Sequence, residues 1–209
     1  MSAVSRLKLR YMRLADIEQV VAIDARSFDP PWSPRSYAFE IEQSTCSHMV
    51  VLEEEISPPA RSWRSLLAFR RPGGEERRRI VAYGGLWKIQ DEAHISTIAS
   101  HPDLRGHSYG EIALASMVLH ALHLNAGYVV LEVRVSNGIA QNLYRKYGFE
   151  VTGVKENYYQ SNHEDAYDMR LLLDQQGIAE RIESLYYDLK ARVPFEDEFS
   201  ATPHPRGLS

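Results

Sequence analysis

Glu132 sits within Val129-Val130-Leu131-Glu132-Val133-Arg134-Val135, a run apolar on both faces that carries one carboxylate. A carboxyl group buried in such a strand is a candidate general base, because burial disfavours its charged form and raises its pKa towards neutrality. The competing reading is a structural ion pair with Arg134, two residues on and on the same strand face. Tyr144 follows on a candidate helix, where its hydroxyl is able to give a proton to a leaving group. Its competing role is that of a core aromatic with a paired hydroxyl. Upstream, Arg105-Gly106-His107-Ser108-Tyr109-Gly110 stands between a strand-like run, His94 to Ser100, and a long apolar helical stretch. The first N–H groups of a helix have no partner inside it, and the helix dipole adds positive charge there, so such a turn suits a phosphate. Gly106 and Gly110 let that phosphate approach the backbone, although plain chain reversal needs the same residues.

These groups need a scaffold. Leu7 to Met12, His48 to Glu53 and Ile80 to Ile89 have strand patterning. Ala15 to Arg26 carries Ile17, Val20, Val21 and Ile23 on one helical face, and Ser33 is placed to cap a short helix ending near Glu42. Glu111 to Leu124 is apolar all round and is expected to be well buried. Ser136-Asn137-Gly138 opens the helix that carries Tyr144, with Asn137 as a cap and about two turns from Tyr144 on nearly the same face. Gly148 is placed to end it. Phe149 to Tyr158 and Ala166 to Leu173 predict an antiparallel pair around a polar loop at Gln160 to Asp165. Asp174 to Leu189 predicts an amphipathic helix with Ile178, Ile182, Leu185 and Tyr186 inward, and Val193 to Ser209 a mobile tail. Ser57 to Arg79 is a long polar insertion in which Leu66 to Phe69 has hairpin patterning and Glu75 to Arg79 reads as a solvated turn. Strands alternating with helices after residue 90 imply a right-handed parallel crossover within a mixed α/β sheet.

The bulk composition is narrower in what it says. The chain has 209 residues, 44% hydrophobic and 25% charged, enough for one domain with a real core. A formal charge of −4 gives no general basic field for nucleic acid. Cys46 is the only cysteine, so no internal disulfide forms, which fits a reducing cytosol. No run of about 18 apolar residues marks a membrane span, and Met1 to Arg10 lacks the apolar block of a secretion signal. The expected location is cytoplasmic, and the expected assembly a monomer or homodimer. The histidines and Cys46 have no zinc-like spacing, so no metal is expected.

Taken together, these residues resemble the GNAT family of acetyl-CoA-dependent N-acetyltransferases. That family's phosphate turn has Arg or Gln, two residues, Gly, one residue, then Gly or Ala. Here Ser108 stands where the family has its first glycine, and serine fits there if its φ is negative, as at a helix start. The closest likeness is to the RimI type, which acetylates protein N-termini. It rests on Leu131 to Asn137, Leu143 to Phe149, Asn157-Tyr158-Tyr159 with Glu164-Asp165-Ala166, and Phe28 to Ser33. It covers residues 6–174, interrupted by the 57–79 insertion and followed by the 175–209 extension.

The resemblance implies a GNAT fold, with a mixed, mostly antiparallel sheet whose two central parallel strands splay to admit the cofactor. It implies acetyl-CoA bound by Ile98, Ala99 and Ser100 at the pantetheine arm, by Arg105, Gly106, His107, Ser108, Tyr109, Gly110 and Glu111 at the pyrophosphate, and by Asn137. It further implies Glu132 as base, directly or through a water, and Tyr144 as acid. Trp32, Tyr158 and Tyr159 are candidate walls for the acceptor, or ordinary aromatic packing. Glu164 and Asp165 are either an attractor for a cationic acceptor or an exposed acidic loop. A small amine or a lysine side chain remains open as acceptor, as does an acyl-CoA-binding or partner-binding module with little turnover.

Overall fold

The computed structural model describes residues 6–56 and 77–207, and the Leu66–Phe69 hairpin expectation lies outside them. The chain runs β1 (Arg6–Tyr11), α1 (Ile17–Asp24), α2 (Pro34–Glu42), β2 (Ser47–Ile56), β3 (Arg77–Ile89), β4 (Glu92–Ser100), α3 (Tyr109–His123), β5 (Tyr128–Arg134), α4 (Gly138–Lys146), β6 (Glu150–Tyr159), β7 (Glu164–Leu172), α5 (Ile178–Arg192) and β8 (Glu196–Glu198). The strands form one mixed sheet in the order β6-β7-β5-β4-β3-β2-β1-β8. Helices cover both faces. Val20, Ile23 and Tyr37 of α1 and α2 pack on Met49, Val51, Ile80 and Tyr83. On the other face α3, α4 and α5 pack on Leu9, Val81, Ile95, Leu131 and Val133. Alternate residues of each strand feed alternate faces, so the strand pattern fixes which helix layer each side chain meets.

Local chemistry sets the helix ends. Ser33 Oγ accepts from the Ser36 amide at 3.0 Å and Pro34 opens α2, a cap of about 1 kcal/mol. Asn137 Oδ1 does the same for the Ala140 amide at 3.2 Å. At the far end of α4, Gly148 takes φ +96. The Gly148 amide bonds Arg145 O and the Phe149 amide bonds Tyr144 O, while the Phe149 ring meets Tyr144 at 5.9 Å. That paired arrangement closes a helix against its own last turn. α3 is buried on nearly every side from Ile112 to Ala121, as its all-round apolar sequence requires.

Among the described residues β4 and β5 are the only parallel neighbours near the centre, and they separate early. They pair at Glu92, Ala93 and His94 against Tyr128, Val129 and Val130. From Ile95 to Ser100, β4 keeps β3 on one side and, among the described residues, has no strand on the other. This is the expected splay.

Two expectations give way. Arg77, Arg78 and Arg79, read as part of a solvated turn, open β3 opposite Ile56, Glu55 and Glu54, and Arg79 Nε bonds Glu54 at 2.5 Å. The segment after Arg192, read as a mobile tail, adds β8, parallel to β1. Its Phe195 and Phe199 are buried, so two apolar anchors outweigh its three prolines.

Candidate active site

The turn after β4 presents free backbone donors. A short 3-10 turn, Pro102–Leu104, leads to Arg105, and Gly106 takes φ +84. Among the described residues no protein group accepts from the backbone amides of Gly106, His107, Ser108, Tyr109, Gly110 and Glu111, and the first helical bond runs from the Ile112 amide to Ser108 O. These amides open a 15-residue helix, where the dipole adds positive charge. A side chain at Gly106 would meet nothing within 4 Å, and one at Gly110 only Ser100, at 3.8 Å, so the approach is open. Donors and space fit a diphosphate.

Individual residues of this turn divide by role. The Arg105 side chain is exposed, with no protein partner among the described residues. His107 is tied to the turn itself: its Nδ1 bonds Leu104 O at 3.1 Å and Arg105 O at 3.2 Å, and its ring stacks on Tyr109. Glu111 has its carboxylate turned away, accepting Tyr147 Oη, Lys146 and Arg192, which leaves its amide alone for the turn. Ser108 departs from expectation. Its φ is +62, in the left-handed region, with no side-chain cap bond. Serine therefore sits in a conformation that favours glycine, where a negative φ was expected.

Ile98, Ala99 and Ser100 border the splay on β4. One backbone edge pairs with Gly84, Tyr83 and Ala82 of β3, and the other faces the opening.

Across the opening stands Glu132. Leu131 and Val133 enter the core beneath the α3 layer, so Glu132 points to the α1–α2 face. Its partner is not Arg134. His94 Nε2 lies 2.8 Å from Oε2, and Lys155 Nζ donates to Oε1 at 2.5 Å. Burial raises the Glu132 pKa, but hydrogen bonds from His94 and Lys155 outweigh it and hold the carboxyl at about 2. The expected rise towards neutrality is thus reversed. Arg134 instead bonds Glu164 at 2.8 Å and lies over the Tyr159 ring at 3.7 Å. Glu164 also accepts from the Ser136 amide, and these Ser136 and Arg134 bonds hold it at about 2. Through these bonds it braces the loop.

Tyr144 lies on the other face, within the α3–α5 core. Its hydroxyl has no hydrogen-bond partner among the described residues, contrary to the paired hydroxyl of an ordinary core tyrosine. Burial raises its pKa, so it stays protonated at neutral pH. Tyr159 lies within electrostatic reach of both Tyr144 and Glu132. Glu132 and Tyr144 therefore lie on opposite faces of the sheet.

The aromatic candidates surround Glu132. Asp24, buried at the end of α1, accepts from the Trp32 amide at 2.6 Å and from Tyr37 Oη at 2.8 Å, which fixes the loop. Trp32 stacks on Trp87 at 6.3 Å, and Trp87 meets His94 edge-on at 5.5 Å. On the far side Lys155 lies 5.7 Å from the Tyr158 ring, which packs edge-on against Tyr159. Sequence reasoning missed His94, Lys155 and Trp87. Their signal was weak: each is a lone polar or aromatic residue in an ordinary strand pattern. No group of acidic, histidine or cysteine side chains among the described residues has metal-site geometry.

A family model described as Acetyltransferase (GNAT) family matches residues 17–149. The chain belongs to the GNAT acetyltransferase family. A Bacillus subtilis relative, described as a candidate ribosomal protein bS18-alanine N-acetyltransferase, is 33% identical over 82% of this chain and 99% of its own length. The ribosomal-protein-S18-alanine N-acetyltransferase of Escherichia coli has the same fold, with TM-score 0.62 at 23% identity over 82% of this chain and 96% of that one. Arabidopsis thaliana NAA60, solved with acetyl-CoA, superposes with TM-score 0.64 at 14% identity over 81% of this chain and 99% of that one. As a GNAT protein the chain is an acetyl-CoA-dependent N-acetyltransferase. No helix among the described residues is long and apolar enough to cross a membrane.

Proposed function

We propose that this GNAT enzyme acetylates the N-terminal α-amine of a protein, with a ribosomal protein as the leading acceptor. The observation that carries this is the splay itself. β4 and β5 part beyond His94, Glu132 stands on β5 at that parting, and among the described residues the amides of residues 106–111 have no protein acceptor. Support for the acceptor comes from the Bacillus subtilis relative, whose named activity is on a ribosomal protein alanine.

Acetyl-CoA supplies an activated acetyl thioester. The amides of Gly106 to Glu111 hold its diphosphate, with Arg105 beside them and Asn137 across the opening. The free backbone edge of Ile98, Ala99 and Ser100 aligns the pantetheine arm and stabilises charge on the acetyl oxygen, one of the larger effects in acyl transfer. Trp32, Tyr158 and Tyr159 wall the acceptor's first residues. An α-amine titrates near 7.7–8.0, against about 10.4 for lysine, so the Glu132 side of the cleft needs only a modest base. Tyr144 gives its proton to the departing sulfur.

The test is a library of N-terminal peptides with acetyl-CoA, read by mass spectrometry and CoA release. Acetylation at the α-nitrogen with stoichiometric CoA supports the reading. Turnover on polyamines or lysine side chains alone would reassign the acceptor. Acetyl-CoA binding without release would make the protein a binding module.

A further inference from the structure

We infer that His94 takes the proton from the acceptor amine, with Glu132 as the anion that orients and supports it. The inference rests on the acetyl-transfer reading above and names the atom that performs one step of it.

His94 occupies the vertex of the splay. It is the last β4 residue paired with β5, opposite Val130, and the opening begins beyond it. Its Nε2 lies 2.8 Å from Glu132 Oε2. An ionised carboxylate only accepts, so the shared proton sits on Nε2, and in the neutral imidazole the lone pair is then on Nδ1. Among the described residues nothing donates to Nδ1. The side chain is 23% exposed, so part of the ring is open to solvent. Trp87, held by Glu40 through its indole N–H at 3.0 Å, fixes the ring edge-on. An oriented imidazole backed by a carboxylate, with its second nitrogen free, is the general arrangement of an activated base.

Glu132 is a poor alternative. Each of its oxygens already accepts a bond, one from His94 and one from Lys155. Its carboxyl is held at about 2, far from the working pH, so it is a weak proton acceptor there. The charged and titratable groups around His94 are Glu132 on β5, Lys155 and Tyr158 on β6, Asp168 on β7 (3.9 Å from Lys155) and Glu40 on α2 behind Trp87.

In the step itself, His94 Nδ1 accepts one proton from the amine nitrogen as the N–C bond to the acetyl carbon forms. Tyr144 gives one proton to sulfur as the C–S bond breaks. The imidazolium then releases its proton to solvent, and the tyrosinate regains one from solvent.

The experiment uses the full chain, acetyl-CoA and a peptide acetylated by the wild type. His94→Gln keeps a donor for Glu132 but cannot titrate. Expected are a loss in kcat of about 100-fold or more, unchanged acetyl-CoA affinity by calorimetry, and loss of the acid limb of the kcat–pH profile. In His94→Ala, added imidazole is expected to restore part of the rate. If His94→Gln fails to fold, His94→Asn carries the same comparison. A kcat within about threefold of wild type with the acid limb intact would overturn the inference and leave acetyl transfer standing. A slow variant with an unchanged limb and no imidazole rescue would equally overturn it, in favour of a structural role. A wild type inactive on every α-amine would instead remove the reading on which it rests.

Discussion

Glu132 Oε1 accepts the Lys155 ammonium at 2.5 Å, so the carboxylate at the centre of the cleft carries an internal cation before any acceptor arrives. Its folded pKa of about 2 lies below the ordinary 4.5. The stability this provides is therefore present above about 4.5 and lost as pH falls towards 2. Lys155→Met removes one of the two donors, and the Glu132 pKa moves up. At neutral pH the cost is about 1 kcal/mol or less, because the lysine is 42% exposed. Urea unfolding between pH 2 and 7 checks this: the variant is expected to lose stability at higher pH than the wild type. Superimposable pH profiles would show that Lys155 contributes nothing to Glu132.

Ser108 at φ +62 predicts a stabilising substitution. A left-handed conformation costs a non-glycine residue roughly 1–2 kcal/mol, and glycine returns part of that as unfolded-state entropy. Ser108→Gly is expected to gain about 0.5–1 kcal/mol, a rise in Tm of roughly 1–4 °C for a chain of this size. Ser108→Val is expected to lose stability. Thermal melts of the three proteins decide it, and a lower Tm for the glycine variant would contradict the strain.

Tyr144→Phe removes a hydroxyl that bonds no protein group among the described residues. No hydrogen bond is lost, so the melting temperature is expected to stay within a degree or two. Turnover is expected to fall 10²-fold or more if that hydroxyl protonates the leaving sulfur. Paired melts and single-turnover CoA release separate the effects. A stable, fully active variant would remove Tyr144 from the chemistry.

Much of this was legible in the sequence because it was written in local pattern. The apolar run around Glu132, the Gly148 stop and the Ser33 cap each produced the expected element. What was hidden depended on partners distant in the chain. The Glu132 pKa was misjudged because its ligands, His94 and Lys155, come from other strands, and a strand pattern does not say which side chains meet across a sheet. Ser108 was expected at negative φ because serine favours helix starts, but the turn geometry overrode that preference. The carboxy-terminal segment looked mobile because its prolines are visible locally, while the surface that receives Phe199 is assembled from Tyr11 of β1 and His120 of α3.

That surface yields the last prediction. Behind β8 lies a buried histidine cluster: His48 Nδ1 and His120 Nε2 are 3.0 Å apart, and the His48 and His204 rings are 5.0 Å apart. His120 and His123 bond Ser200 O, and Tyr11 Oη donates to Thr202 O at 3.1 Å, which ties the carboxy-terminal segment down. Burial, reinforced by neighbouring histidines and Arg206, lowers His48 to about 3 and His204 to about 4, and burial lowers His120 as well. Unfolded histidines bind protons below about 6.5, whereas these stay neutral in the fold. The stability is therefore complete above 6.5 and falls as pH drops from 6.5 towards 4 and 3, by up to about 1.4 kcal/mol per pH unit for each histidine. His48→Gln is expected to lessen that slope, and Phe199→Ala to cost about 3–5 kcal/mol at any pH. Denaturant titrations at pH 7.5, 6 and 5 test both. A wild-type stability flat across that range would mean the histidines bind protons equally well in the folded chain.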